Sequence, residues 1–340
     1  MKFPYMKKIT FLVNPKSGTN DKNNIIKLIP EIIDSSQFEW KVKYIERMGH
    51  AEQLTKEAVD HHADAVVAVG GDGTVNGVAT ALIGTDTALG IIPCGSGNGL
   101  ARHLQIPMDA EGALSLINNF NVLQADYGLI NGRKFFCTCG MGFDAYVSDR
   151  FAKAGKRGMW TYFEQMVNIA RTYDSEEYEI EIDGETRRVE AFLIACGNAS
   201  QYGNNVFIAP DASLTDGLLD VVVMRPFKKI HAGRVLYKML NGQITSRGNV
   251  DFYRCQHLVV RRTKPGVIHC DGDPFDEVAD VDIRLVHGAV RMIYGDRRLY
   301  GGNPITNVFN EWSGKIGSDI KENNRRIMRI NKELLGRLRK

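Results

Sequence analysis

The sequence predicts two domains of different classes, a Rossmann-like α/β domain with a parallel sheet and, after it, an all-β sandwich. In the first third of the chain, short apolar runs alternate with segments of helical periodicity, which is typical of a parallel sheet with helices on both faces. From about Asp126, helical periods become rare and short strands separated by turns replace them. With 340 residues, of which 44% are hydrophobic, the chain is long enough for two cores.

Composition excludes several other classes of protein. The formal net charge is only +3, which argues against a nucleic-acid partner. The six cysteines show no paired CxxC spacing, so we expect reduced thiols in a cytoplasmic protein. The sequence shows neither a signal-peptide pattern nor an apolar run that approaches the length of a membrane span. Contact with a membrane is therefore expected to be peripheral.

The first domain is predicted to have four strands with helices between them. The strands are 9–13, 40–45, 66–69 and 88–93. Predicted helices begin near Asp21, at Ala51 and at Val75, and the first contains Pro30 in an unfavourable interior position. Ligands of parallel sheets bind outside the carboxyl ends of the strands, so the loops that follow these strands are the candidate binding loops.

The loop after the third strand, Gly70-Gly71-Asp72-Gly73-Thr74-Val75-Asn76, is the most informative part of the chain. A glycine loop between a strand and a helix N-terminus points unpaired N–H groups outward, which suits a phosphate. Asp72 adds a carboxylate where the magnesium ion of a nucleotide would lie. The alternative interpretation is an ordinary strand-to-helix turn whose glycines serve close packing.

A second glycine-rich loop follows the fourth strand. It covers 93–102 and misses the spacing of the dinucleotide fingerprint, so alone it indicates a structural turn. Ser96 and Asn98 nevertheless offer side-chain hydrogen bonds, and Arg102 lies within a turn of the predicted helix start. This loop, the first glycine-rich loop and the turn at 14–18 are all predicted at the same edge of the sheet. Two phosphate-type loops at one edge indicate a polyphosphate ligand. The P-loop and protein-kinase motifs are absent from the sequence.

The second domain is predicted as antiparallel strands with one helical interruption. The predicted strands are 134–138, 178–182, 187–196, 218–224, 257–262, 281–285 and 290–294. The helix carries an apolar stripe from Met159 to Ala170, preceded by Lys153, Lys156 and Arg157. Such a stripe is typical of core packing. The mixture of aromatic and basic residues would also suit docking at an anionic bilayer.

Two acidic motifs lie in this domain. In 210–220, carboxylates lie next to turn carbonyls, and together they could form an oxygen-only magnesium site. The alternative interpretation is a plain Asp-Gly turn before a strand. In 270–274, two acids flank a glycine, and one carboxylate could act as a general base. For that second motif, the pattern alone favours an unremarkable turn.

These motifs, in this order, resemble the diacylglycerol kinase catalytic-domain family, the bacterial lipid kinases related to sphingosine and ceramide kinases. More distantly, the chain is similar to NAD kinase and 6-phosphofructokinase. The motifs are 14–18, 70–76, 93–102, 142–145, 209–220 and 271–274. The resemblance implies an NAD-kinase-like ATP-binding domain at 1–127, completed by 303–340. It implies a β-sandwich lipid-substrate domain at 128–302.

The resemblance also assigns roles to individual residues. The residues expected to bind the nucleotide are Asn14, Pro15, Ser17, Gly18, Gly70, Gly71, Asp72, Gly73, Thr74, Asn76, Gly95, Ser96 and Asn98. Asp72 is expected near the catalytic metal ion, and either Asp271 or Asp273 is expected to be the base. The family more often has glutamate where this chain has Asp273, which leaves the choice open. A structural magnesium ion is expected at Asp216 and at main-chain oxygens of Ser213 and Leu218.

The implied activity is an ATP- and Mg²⁺-dependent lipid kinase acting on the hydroxyl of a lipid alcohol, either diacylglycerol-like or a sphingoid base. Two alternatives stay open: a kinase for a soluble acceptor, on the pattern of NAD kinase, and a non-catalytic nucleotide-binding regulator. The implied location is the cytoplasm, peripheral to the inner face of the membrane. The sequence does not name the lipid, and a homodimer stays open.

Overall fold

The computed structural model describes residues 6–18, 22–154, 166, 168–245 and 248–295. The predicted parallel sheet is formed by β1 (Lys7–Val13), β2 (Phe38–Tyr44), β3 (Ala65–Gly70) and β4 (Ala88–Pro93), in the spatial order β2-β1-β3-β4. Every residue of β3 and β4 is buried. These strands have no solvent-facing side, which explains why their sequences are continuously apolar instead of alternating.

Within the described residues, five helices accompany these strands. They are α1 (Lys22–Ile32), α2 (His50–Asp60), α3 (Asp72–Leu82), α4 (Gly99–His103) and α5 (Ala110–Asn119). α2 packs against α3, and α1 packs against α5. α1 continues through Pro30, although proline cannot donate a helical hydrogen bond there. The sequence pattern does not predict α5, whose start is marked by an N-cap: the Asp109 carboxylate accepts from the Gly112 amide at 2.7 Å.

The remaining chain supplies the predicted all-β part. Its elements are β5 (Val122–Ile130), β6 (Arg133–Phe135), β7 (Thr138–Gly142), α6 (Phe143–Ala154), β8 (Glu176–Ile182), β9 (Glu185–Ala191), β10 (Leu193–Gly197), β11 (Leu219–Met224), α7 (Ala232–Leu240), β12 (Val250–Cys255), β13 (His257–Arg262), β14 (Gly266–Cys270), β15 (Asp273–Glu277) and β16 (Asp280–Ile293). One sheet of the sandwich has the order β12-β11-β10-β7-β14-β15, and all its pairs are antiparallel. A buried apolar cluster lies between this sheet and β8, β13 and β16.

The long strand β16 joins the two parts into one sheet. Near its C-terminal end, β16 pairs in parallel with β4 through Met292 and Leu89. It also pairs antiparallel with β5 and with β13. The prediction of two strands at 281–285 and 290–294 is therefore wrong: they form one strand interrupted by a bulge. The predicted division at 127/128 falls inside β5. It stays a prediction, and 303–340 lie outside the described residues.

Two other predicted strands are each divided in the structure. The run 134–138 separates into β6 and β7, because the amides of Phe136 and Cys137 donate to the Asp271 carboxylate instead of to a strand. The run 187–196 separates into β9 and β10 at Phe192, whose amide donates to Met224 O and whose carbonyl accepts from Phe143 N. The tight turn predicted around 271–274 is confirmed as the tip of the β14–β15 hairpin, whose strands the sequence pattern does not reveal.

The apolar stripe predicted on a helix is described only in part. Ala170 is buried and Met166 packs against the same apolar cluster, which includes residues of β10 and β11 in the six-stranded sheet of the sandwich (called the second sheet below), in agreement with core packing. Met159, Trp160, Phe163 and Val167 lie outside the described residues, as do Lys156 and Arg157. In the ranges that the structure covers, no helix combines the length and the apolar character that crossing a bilayer requires.

Candidate active site

Three loops meet at the carboxyl edge of the parallel strands, as the sequence predicts. They contact one another through glycine backbone. Gly18 has a φ of +59°, and a Cβ there would lie 1.6 Å from the carbonyl oxygen of Cys94. A Cβ on Gly71 would lie 3.2 Å from the Gly95 Cα. These glycines therefore let the turn at 14–18 and both glycine-rich loops approach one another more closely than side chains would permit.

Asn14 connects the first turn to the first glycine-rich loop. Its side-chain amide donates to Thr74 Oγ1 at 2.9 Å, and its backbone amide donates to Val69 O at 3.0 Å. Its carbonyl accepts from Ser17 Oγ at 3.0 Å. Asn14, Ser17 and Thr74 thus brace the loops, with Pro15 inside the turn.

Asp72 is the first residue of α3 and holds the two glycine-rich loops together. Its Oδ2 accepts from the Asn98 amide and its Oδ1 from the Gly99 amide, both at 2.9 Å. Burial raises the pKa of Asp72, while these two amides and the charge of Arg102 lower it. The sequence motif predicts this carboxylate beside a metal ion. The structure shows in addition that it binds two backbone amides of the second loop.

The second loop is further closed by Asn98. This residue has a φ of +51°, and its side chain donates to the carbonyl of Gly95 at 2.9 Å and accepts from the Gly95 amide at 3.0 Å. Ser96 and Gly73 are exposed. Each glycine-rich loop therefore presents an exposed residue while its neighbours hold the backbone in place.

Asp271, at the tip of the β14–β15 hairpin, has a fully engaged carboxylate. It accepts from Asn76 Nδ2 at 2.8 Å and from the backbone amides of Phe136 at 3.0 Å, Cys137 at 2.8 Å and Thr138 at 3.1 Å. Burial raises its pKa, and the four donors lower it. The Asn76 bond ties the hairpin to α3, which begins in the first glycine-rich loop.

Asp273 lies two residues further along the hairpin in a different environment. Its side chain is exposed and makes no hydrogen bond with the described residues. Partial desolvation and the negative charge of Asp72 raise its pKa, and the nearby His269 lowers it. The two carboxylates that the sequence left as alternatives are thus distinguished: Asp271 is held by four donors, whereas Asp273 is free to interact with a ligand.

A cleft separates the glycine-rich loops from this hairpin. It is lined by Asp72, Val75, Asn76, Leu100, Phe136, Cys137, Thr138, Tyr202 and Asp271. The structure therefore brings together residues of the 70–76 loop and of the 271–274 turn that are about two hundred positions apart in sequence. Apolar and acidic side chains meet at this cleft, and both of its carboxylates, Asp72 and Asp271, accept hydrogen bonds from protein groups.

Tyr202, Asp144 and His269 form a network that sequence analysis did not assign. Tyr202 donates its hydroxyl to Asp144 Oδ2 at 2.9 Å, and His269 Nε2 lies 3.0 Å from the same oxygen. Asp144 and His269 are buried, and Tyr202 lines the cleft. Asp144 belongs to the 142–145 motif, so the sequence contained a signal for it without indicating its partners.

The three residues predicted to hold a structural magnesium ion lie in the turn before β11. Asp216 Oδ1 accepts from the Leu218 amide at 3.1 Å, and Ser213 Oγ accepts from the Thr215 amide at 3.3 Å. The Gly217 amide between them donates to the buried Asp126 at 2.8 Å, which fixes the turn against β5. The described residues contain no cluster of three or more His, Cys, Asp or Glu side chains placed to hold a metal ion.

This turn nevertheless supplies oxygen donors of the kind that magnesium prefers. Asp216 contributes a carboxylate, and the buried Asp220 Oδ2 has no hydrogen-bond partner. Arg254 offsets part of the negative charge, since it donates to Asp220 Oδ1 at 3.1 Å and lies 3.9 Å from Asp216 Oδ2. The Asp216 carboxylate is thus a ligand of the type that a hard cation takes, with Arg254 as its nearest charged neighbour.

Comparison with known proteins agrees with this architecture. The family model of the diacylglycerol kinase catalytic domain matches residues 8–130, and that of the YegS C-terminal NAD kinase beta sandwich-like domain matches residues 137–294. Diacylglycerol kinase from Mycobacterium tuberculosis is 31% identical over 66% of this chain and 74% of its own length. Diacylglycerol kinase from Bacillus subtilis is 26% identical over 79% of this chain and 90% of its own length. An uncharacterized protein from Synechocystis is 33% identical over 77% of this chain, and the match covers 64% of that protein's own length.

Solved structures show the same fold. A diacylglycerol kinase from Bacillus anthracis superimposes with a TM-score of 0.67 at 22% identity, covering 85% of this chain and 97% of that one. An NAD kinase from Archaeoglobus fulgidus, in complex with ATP, gives a TM-score of 0.50 at 13% identity, covering 85% and 95%. The predicted class, an NAD-kinase-like α/β domain followed by a β-sandwich, is confirmed. The chain belongs to the diacylglycerol kinase catalytic-domain family.

Proposed function

We propose that this protein is an ATP- and Mg²⁺-dependent lipid kinase that transfers the γ-phosphate of ATP to the hydroxyl of a lipid alcohol. The observation that carries this proposal is the environment of Asp273. It is an exposed carboxylate without hydrogen bonds to the described residues, it follows Asp271 of the cleft lining by two positions, and it feels the negative charge of Asp72 in the first glycine-rich loop. Phosphoryl transfer requires this combination of a phosphate cradle and a proton acceptor.

The loops at 70–74 and 95–99 would bind the triphosphate. The amides of Gly95, Asn98 and Gly99 already donate to side chains, so the amides of Gly73, Ser96 and Gly97 would be the donors for phosphate oxygens. Ser96 and Gly73 are exposed. Magnesium, when bound, would neutralise charge on the transferring phosphate, and Asp72 is the residue of this chain that would hold it. Ser213, Asp216 and Leu218 would hold the separate structural magnesium ion.

Asp273 rather than Asp271 would act as the base. Asp271 accepts four hydrogen bonds, and the loss of any of them would leave a donor without an acceptor inside the protein. Asp273 has free oxygens and a raised pKa, which makes it a better proton acceptor than an ordinary aspartate. As the lipid oxygen bonds to the γ-phosphorus, its proton passes to Asp273. The bond between the γ-phosphorus and the β–γ bridging oxygen breaks, and ADP leaves.

A lipid acceptor is supported by the relatives. Within the cleft, the apolar neighbours of the acidic groups are the buried Val75, Leu100 and Phe136 and the partly exposed Tyr202. The curated relatives described above are named diacylglycerol kinases. Diacylglycerol is accordingly the first acceptor to examine, followed by a sphingoid base.

The test measures transfer of labelled phosphate from ATP with Mg²⁺ to diacylglycerol, a sphingoid base, ceramide, phosphatidylglycerol and a polyprenol in mixed micelles. NAD and a sugar serve as soluble acceptors. We expect one labelled lipid, and in Asp273→Asn a loss of turnover of about 10²- to 10⁴-fold. Asp276→Asn, an exposed aspartate on the same strand, is the matched control and should retain activity.

Label found only on NAD or a sugar would contradict the lipid acceptor and favour a soluble substrate. Bound ATP without a labelled product on any acceptor would contradict the kinase activity and favour a nucleotide-binding regulator. Full activity in Asp273→Asn, with loss in Asp271→Asn at unchanged folding, would assign the base to Asp271 instead.

A further inference from the structure

One stretch of the second domain has a charge very different from that of the whole chain. Residues 221–250 contain no Asp or Glu, although the entire protein has a formal net charge of only +3. The basic residues of this stretch are Arg225, Lys228, Lys229, Arg234, Lys238 and Arg247. Arg247 lies outside the described residues; the others lie on and next to α7. Such a single-sign cluster attracts anionic partners.

The same segment exposes two large apolar side chains. Ile230 is 85% exposed and Tyr237 is 61% exposed. Ile230 lies in the 3-10 turn Lys229–His231 directly before α7, and Arg234 and Tyr237 lie three positions apart on the exposed side of α7 itself. The opposite side of the helix buries Ala232, Leu236 and Met239 against the outer face of the second sheet. The exposed Ile230 and Tyr237 therefore do not serve the packing of α7.

The basic side chains on this face are largely available to a partner. Lys228 and Arg234 are exposed and form no ion pair with the described residues. Lys229 lies 3.1 Å from Asp174, but both side chains are more than half exposed, at 52% and 88%. An exposed pair of this kind is weak and readily exchanged for another anion. We call Lys228, Lys229, Ile230, Arg234 and Tyr237 the α7 surface.

We infer that the α7 surface docks the protein on an anionic lipid bilayer. Ile230 and Tyr237 would enter the interfacial region, where aliphatic and aromatic side chains are favoured, while the cations contact lipid phosphates. The apolar side chains are surrounded by cations, and Asp174 beside Lys229 is the acidic residue that the described contacts place at this surface. This excess of positive charge around exposed apolar groups matches an anionic lipid surface. The inference deepens the proposed function and rests on it for its purpose, since a lipid acceptor is reached at a membrane.

The α7 surface is connected to the cleft through the loop that follows β10. The Phe207 amide donates to the carbonyl of Met239 near the end of α7 at 2.9 Å. In the same loop, the Tyr202 amide donates to Val206 O at 3.0 Å, and the Tyr202 side chain lines the cleft. Docking through α7 would therefore hold the membrane next to a loop that forms part of the acceptor site.

The experiment measures sedimentation of the full chain with vesicles of phosphatidylcholine alone or mixed with phosphatidylglycerol, in the absence of ATP. We expect binding only to the mixed vesicles, and a decrease in binding with added salt. The double variant Lys228→Gln with Arg234→Gln should bind about thirtyfold more weakly, since each cation near an anionic surface contributes about fivefold. Ile230→Ser with Tyr237→Ser should weaken binding about tenfold.

Matched controls lie on the first domain. Lys41→Gln with Lys56→Gln removes two exposed cations, and Met48→Ser removes a side chain that is 98% exposed. Both controls should bind vesicles as the wild type does. Unchanged vesicle binding in both α7 variants would overturn the inference, and so would equal loss in the controls. Absence of wild-type binding to the anionic vesicles would overturn it as well and favour an acidic protein as the partner.

A second readout separates this inference from the proposed function. Phosphate transfer to a short-chain, water-soluble diacylglycerol needs no membrane, so the α7 variants should keep the wild-type rate. Loss of that rate in folded α7 variants would contradict a role confined to docking. Vesicle binding is measured without turnover. It therefore tests membrane docking even if neither the wild type nor any variant phosphorylates a lipid.

Discussion

The side-chain amide of Asn76 donates a 2.8 Å hydrogen bond to the carboxylate of Asp271, although 195 positions separate the two residues. Asn76 lies in α3, directly after the first glycine-rich loop, and Asp271 lies at the tip of the β14–β15 hairpin. The bond therefore fixes the proposed base hairpin relative to the proposed phosphate loop. The bond thus couples the α/β part to the strand that carries Asp273.

Replacing Asn76 by alanine should destabilise the protein. The buried Asp271 carboxylate would lose one of its four donors, and hydrogen bonds to charged groups contribute about 1.5–3 kcal/mol to the free energy of unfolding. Denaturant unfolding of Asn76→Ala would measure this change. The control is Asn119→Ala at an exposed position, which should change stability by less than about 0.5 kcal/mol. Equal stability of both variants would contradict the role of the bond.

The pH dependence of turnover should follow the pKa of Asp273. Its raised pKa comes from partial desolvation and from Asp72, and a base acts in its charged form. Accordingly, kcat/KM should fall as the pH decreases through this raised pKa. Asp72→Asn removes a negative charge, so the acidic limb of its residual activity should move to lower pH. His269→Gln removes a group that lowers the pKa, so its limb should move to higher pH. Shifts in the same direction would contradict these assignments.

Gly18 should be intolerant of any side chain. Alanine there would place its Cβ 1.6 Å from Cys94 O, in addition to adopting a φ of +59°. The turn at 14–18 and the second glycine-rich loop would have to separate, so we expect Gly18→Ala to weaken ATP binding at least tenfold, on the order of 1.4 kcal/mol. Gly49→Ala is the control, because its φ is +75° and no atom lies within 4 Å of the added Cβ. It carries the backbone strain alone, about 1 kcal/mol, and should bind ATP normally.

Removing the Tyr202 hydroxyl should lower stability and turnover together. Asp144 would lose its 2.9 Å donor, and among the described residues the Ala145 amide and His269 would remain as partners of this buried carboxylate. We expect Tyr202→Phe to lose about 1.5–3 kcal/mol of unfolding free energy. Tyr44→Phe, at a side chain that is 51% exposed, should be neutral. A neutral effect of Tyr202→Phe would show that the network is not a support of the cleft.

The sequence was sufficient for features that depend on local patterns. The apolar runs of β1, β3 and β4 and the glycines at 70–73 identify a parallel sheet with a binding loop, because burial on both faces and tight turns each demand particular residue types. It also marked the 271–274 turn and the 142–145 motif as places of interest.

The tertiary structure decided what each of these residues does. Asp271 and Asp273 are equivalent in the sequence motif, and only the fold shows that the amides at 136–138 occupy one carboxylate and leave the other free. Likewise, the union of 281–285 with 290–294 into β16 depends on pairing with β4 and β5, which are far away in sequence. Local periodicity reports burial and turn chemistry near a residue. Hydrogen-bond partners, shared burial and the pKa of a carboxyl group depend on contacts between distant segments, which only folding creates.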